Sequence, residues 1–161
     1  LFAGSCTDNV IANTQFVGNQ ASGQGGGLRL AFESQTRSWV QNCLFDGNQG
    51  SSGGAMSLES APARLTNVTC HANAAIAPQS GTGGAIDSFG ALVQVESSIF
   101  WNNTATVGGP VALQEIFANT IQVEYSDWRG ANSVPPPAGY NPLTCIALDP
   151  VFVAGPARPY Q

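Results

Sequence analysis

The chain repeats itself. Phe16-Val17-Gly18-Asn19, Phe45-Asp46-Gly47-Asn48 and Phe100-Trp101-Asn102-Asn103 all read F-x-x-N, and Cys70-His71-Ala72-Asn73 is the same tetrapeptide with Cys in the aromatic position. After each Asn come a glycine pair and an apolar alternation: Gly25-Gly26-Gly27-Leu28-Arg29-Leu30, Gly53-Gly54-Ala55-Met56-Ser57-Leu58, Gly83-Gly84-Ala85-Ile86 and Gly108-Gly109-Pro110-Val111-Ala112-Leu113. The anchors Asn19, Asn48, Asn73 and Asn103 lie 29, 25 and 30 residues apart. A short period with constant internal order predicts a stacked fold in which each unit contacts only its neighbours.

Alignment on the anchors gives columns. Ile11, Val40, Leu65, Val95 and Val123 fall at one position, followed at fixed offset by Asn13, Asn42, Asn67 and Ser97. Phe16, Phe45, Cys70, Phe100 and Trp128 fall at the next. Each unit thus reads as a short strand, an Asn-marked bend, an inward aromatic, a Gly-rich turn and a second strand of period 2. The predicted fold is all-β: a right-handed, single-stranded parallel β-helix of about five coils, with like residues stacked at ~4.8 Å. Stacked Asn side chains are expected to hydrogen-bond along their columns.

Residues 10–130 are read as regular coils of one domain, 1–161. Residues 131–161, with Val134-Pro135-Pro136-Pro137 and Asp149-Pro150-Val151-Phe152-Val153, are read as an irregular Pro-rich cap over the last strand edges. The opening at Leu1 instead of Met is read as a processed product or fragment, with more coils or another subunit expected before it.

Composition narrows the function. Charged residues are 9% of the chain, far below the usual quarter, and the formal charge is −5 without a single Lys. No basic patch exists for nucleic acid, and no apolar run is long enough for membrane insertion by a helix. Four Cys in such a polar, Gly-rich chain favour an extracellular or cell-surface setting. Asn67-Val68-Thr69 and Asn102-Asn103-Thr104 are glycosylation sequons for a secretory protein.

The pairing of F-x-x-N with G-G-A-[ILV] resembles the repeat of the chlamydial polymorphic outer-membrane proteins. Gly83-Gly84-Ala85-Ile86 matches the second motif, Gly53-Gly54-Ala55-Met56 nearly so, and the likeness covers about residues 10–115. The resemblance implies a β-helix displayed at a cell surface and acting in adhesion. Cys70 in place of Phe, Pro110 in place of Ala and the lack of an autotransporter barrel depart from that pattern.

Parallel β-helices also host polysaccharide lyases and hydrolases, so carboxylates need weighing. Glu96 and Glu124 fall in one outward column on adjacent coils with Asp127 nearby, ~5 Å apart by stacking, close to the separation in retaining glycosidases. The same oxygens suit Ca²⁺; the plainer reading is two solvated like charges. A second column holds Val17, Asp46, His71, Trp101 and Arg129, where Asp46 can orient His71 as a base and Trp101 can stack on a sugar. Its plainer reading is a tolerant turn edge, and Trp39 is a further candidate for passive glycan contact. Cys6, Cys43, Cys70 and Cys145 lack metal-site spacing; Cys43 and Cys70 lie on adjacent coils but two positions out of register, ~7 Å between Cα atoms, at the limit for a disulfide. No glycine pair ends as a phosphate loop does. No catalytic residue, metal or cofactor is therefore assigned. The expected function is a non-enzymatic extracellular structural or adhesive module that associates with other subunits in a filament or with a cell-surface receptor. A carbohydrate-active enzyme using Glu96, Glu124 and Asp127, or a glycan-binding module, is the alternative.

Overall fold

The computed structural model describes residues 1–4, 8–31, 37–78, 81–106, 111–113, 115–128 and 143–150. Parallel strands stack into a β-solenoid of about four turns, and the described residues contain no helix. Five layers enclose those turns, so the fifth coil counted in the sequence is a partial one.

The β-formers aligned in the sequence stack in register. Ile11, Val40, Leu65, Val95 and Val123 pair as successive layers of the first sheet. The glycine-pair strands form a second column of that sheet, Leu28 on Met56 on Ile86 on Ile116. In the lower coils the two columns are separate strands, such as Met56–Glu59 and Ala63–Thr66; in the upper coils they merge into Ile86–Glu96 and Ile116–Glu124, with an irregularity between Ser88 and Leu92. The second sheet stacks Gln15–Val17, Leu44–Asp46, Thr69–His71, Ile99–Trp101 and Asp127–Trp128. A third joins Gln49–Gly50, Ala74–Ala75 and Thr104–Thr106.

Alternation within each strand decides what is buried. Val40, Leu65, Val95 and Val123 face inward, as do Phe16, Phe45, Cys70, Phe100 and Trp128, and together they form one continuous core. The Phe16 and Phe45 rings stack with centroids 4.6 Å apart and planes 7° from parallel, an offset worth ~0.5–1.5 kcal/mol beyond area burial. Cys43 and Cys70, placed by their offset at the limit for a disulfide, are buried and not bonded to each other; Cys145 is buried too, and Cys6 lies outside the described residues.

Left-handed backbone recurs at two bends and at the first Gly of the glycine pair, Gly25, Gly53 and Gly83. The first bend is taken by Asn13, Asn42, Asn67, Ser97 and Tyr125, with φ between 49° and 54°, a region that Asn tolerates better than most residues. The second is the third letter of F-x-x-N: Gly18, Gly47, Ala72 and Asn102, all at positive φ. The glycine pair has a different cause. Gly53 sits at φ 61°, and a Cβ on Gly54 would stand 2.3 Å from the Gly84 carbonyl oxygen and 2.5 Å from the Ala74 nitrogen. Successive backbones are too close here for any side chain.

The fourth glycine motif breaks the expected register. Val111–Leu113 runs antiparallel to Thr104–Thr106 and forms a hairpin with it, while Ile116 takes the position above Ile86. The motif is displaced because the chain inserts extra residues before resuming the stack; Gly108, Gly109 and Pro110 lie outside the described residues. Most of the expected Pro-rich cap, 131–142 and 151–161, also lies outside them. Its described part begins a further layer: Ile146 bridges Asp127, and the Cys145 thiol points at the Val123 carbonyl, 3.3 Å away.

Candidate functional site

Two asparagine ladders run along the stack. The outer one is exposed: Asn67 donates to Asn42 Oδ1 at 3.1 Å, and Asn42 to Asn13 Oδ1 at 3.2 Å. The inner one is made by the anchors and is buried from Asn48 upward. Asn73 Oδ1 accepts from the Asn48 backbone N–H and Nδ2, both at 2.9 Å, while Asn73 Nδ2 donates to the Phe45 carbonyl and to Asn103 Oδ1. Asn48 repeats this pattern toward Asn19 and Phe16. Asn48, Asn73 and Asn103 thereby each accept from one backbone N–H and donate to one backbone C=O of the layer below.

The ladder ends on a residue that sequence reasoning missed. Glu115, 4% exposed, receives the Asn103 backbone N–H at 3.2 Å and the Asn103 side-chain amide on the same carboxylate oxygen. Its backbone carbonyl accepts from Ala85 N–H, so it occupies the layer above Ala85 and Ala55, where the lower coils hold only small residues. Coil five has no F-x-x-N, and the carboxylate stands where a fifth Asn would be. The displaced glycine motif hid this register.

The Asp46 and His71 column forms as expected: Val17, Asp46, His71 and Trp101 stack in register, and His71 Nδ1 lies 2.8 Å from Asp46 Oδ1. Trp101 does not offer a stacking face; it is 8% exposed. Arg129 lies outside the described residues. Trp39 is half-buried, between Val10 and Arg64 in its column.

The carboxylate patch is only partly as expected. Glu96 and Glu124 are register partners. Glu96, however, is engaged by the layer below, both its oxygens within 2.9 Å of Arg64 Nη2, so it is not one of two unpaired like charges. Asp127 lies past the Tyr125–Ser126 bend on the second sheet and accepts the Leu148 backbone N–H at 3.3 Å. Partial desolvation raises its carboxyl above the ordinary value, opposed by that hydrogen bond and reinforced by Asp149. Among the described residues no three acidic, His or Cys side chains gather as a metal site would require.

No protein-family model matches the chain, and neither a curated protein nor a solved structure does.

The two sequons occupy different edges. Asn67 lies in the bend between the first and second sheets and takes part in the outer ladder; Asn102 lies in the bend between the second and third. Both are exposed.

A cleft on the first sheet was not legible as a motif. Gln24, Ser57, Leu58, Glu59, Asp87 and Phe89 line a volume of ≈ 120 Å³. Stacking brings together Ser57 with Asp87 in one outward column and Glu59 with Phe89 in the next. Arg29 holds Glu59 at 2.8 Å, and the Thr82 hydroxyl donates to Asp87 at 2.9 Å. Burial raises the Asp87 carboxyl above its ordinary value, and the Thr82 hydrogen bond offsets part of that.

Proposed function

We propose that this chain is a non-enzymatic extracellular structural or adhesive module, a stiff β-solenoid segment that works by presenting its lateral faces to other subunits or to a cell-surface receptor. The observation that carries this reading is the inner ladder: Asn19, Asn48, Asn73, Asn103 and Glu115 tie each coil to the next, through buried side chains from Asn48 upward. A chain whose recurring residues are spent on stacking gains stiffness and regular surface spacing. Low charge density and few cationic groups suit a module that packs laterally. The F-x-x-N and G-G-A-[ILV] resemblance to chlamydial surface repeats supports a place outside the cell.

The test is imaging and sedimentation of the parent protein purified without denaturation. Filaments, concentration-dependent association or retention on cells support the reading. A monodisperse protein that cleaves glycans, with cleavage lost in Glu96→Gln or Glu124→Gln at intact fold, overturns it and establishes the enzyme alternative.

A further inference from the structure

We infer that the cleft formed by Gln24, Ser57, Glu59, Asp87 and Phe89 binds a neutral saccharide, with one sugar ring against Phe89 and its hydroxyls on the two carboxylates. The inference stands on this cleft alone and holds whether or not the rods assemble.

Phe89 is 66% exposed at the edge of a cleft whose other lining is polar except for Leu58. An exposed aromatic ring beside convergent hydrogen-bonding groups is the chemistry that recognises a sugar, whose ring has an apolar C–H face and a polar rim. Glu59 is fixed by Arg29 and Asp87 by Thr82, so both carboxylates present preorganised acceptors to vicinal hydroxyls. Ser57 is 2% exposed yet lines the cleft, adding a hydroxyl that can donate or accept. Gln24 supplies an amide with both functions.

Charge selects the ligand class. Two carboxylates on a chain of formal charge −5 repel a uronic or sialic acid. A bare cation is the poorer fit, since among the described residues no three acidic, His or Cys side chains gather. A folded protein partner needs ~800 Å² of surface on each side, far more than so small a cleft presents. Phe117, 44% exposed, lies one layer above Asp87 in the same column. It offers a second apolar surface to a longer chain, so an oligosaccharide binds more tightly than its monomer.

The test is titration of the isotope-labelled protein with maltotriose, cellotriose, mannotriose and tri-N-acetylchitotriose, followed by amide shifts. Trigalacturonate is the charged control. At least one neutral trisaccharide is expected to give saturable shifts at Gln24, Ser57 and Phe89 with Kd in the millimolar range. Affinity should fall tenfold or more in Phe89→Ala and in Asp87→Asn, each with an otherwise unchanged spectrum. The inference is overturned if none of the four gives saturable shifts, if the shifts map away from the cleft, if trigalacturonate binds as well, or if affinity survives both substitutions.

Discussion

Removing one rung of the inner ladder should cost more than removing one rung of the outer ladder, although both are Asn–Asn contacts. Asn73→Ala deletes four hydrogen bonds: two accepted from Asn48, and two donated, to Phe45 and Asn103. Asn48 Nδ2 keeps the Phe16 carbonyl and Asn103 Oδ1 keeps the residue-73 backbone N–H. The Asn48 backbone N–H and the Phe45 carbonyl lose the side-chain partners that meet them in the core. An orphaned buried polar group costs about 1–3 kcal/mol, and that is the loss expected at the Asn48 N–H, because the Phe45 carbonyl still faces the His71 N–H in the parallel ladder. That is a large share of the roughly 5–15 kcal/mol that holds a typical domain. Asn42→Gly is the matched control. It keeps the left-handed bend and removes only exposed contacts, so its cost is at most about 1 kcal/mol. Urea unfolding followed by tryptophan fluorescence measures both. A loss below about 1 kcal/mol for Asn73→Ala, or no larger than that of Asn42→Gly, refutes the role given to the ladder.

Glu115→Ala strips the carboxylate from the Asn103 N–H and amide; it should lower stability by about 2–4 kcal/mol in the same assay, with Glu115→Gln recovering part of it. Ala72 sits at φ 53° where Gly18 and Gly47 serve the equivalent bends, so Ala72→Gly should stabilise the protein by about 1 kcal/mol, raising the urea midpoint. Gly54→Ala should abolish folding, read by circular dichroism, because its Cβ would meet backbone atoms at 2.3 and 2.5 Å. Asp87 has a raised carboxyl pKa in the folded state. The folded chain therefore binds its proton more tightly than the unfolded chain, and that contribution is full below the unfolded value and lost as pH rises through the folded one. Asp87→Asn should flatten the fall in stability over that interval; an unchanged slope between the two titrations would contradict the assignment.

The stack was legible because its determinants recur. A Phe in three of the five coils, an Asn three residues on and an alternating strand after a glycine pair each point to one register, and the observed pairings of Phe16, Phe45, Cys70, Phe100 and Trp128 follow it. The third letter of F-x-x-N was harder to read, because Gly, Gly, Ala and Asn share a backbone angle and not a side chain. Register failed where the chain inserts: Val111 follows a glycine pair but belongs to a hairpin, and Ile116 takes its place. Glu115 was invisible for the same reason, since its neighbours in the stack are alanines. Arg64 engages Glu96 across a layer, although the column of Glu124 alone suggested like-charge proximity. The cleft joins residues of three coils with no shared motif, so only stacking could assemble it.

Interlayer contacts in an isotope-labelled sample test the layer register directly. Nuclear Overhauser contacts between backbone protons should link Val40 with Leu65, Leu65 with Val95 and Val95 with Val123, in the slanted pattern of parallel strands. Contacts in an antiparallel pattern between strands adjacent in sequence, such as Ala63–Thr66 with Thr69–His71, would contradict the solenoid and every reading built on it.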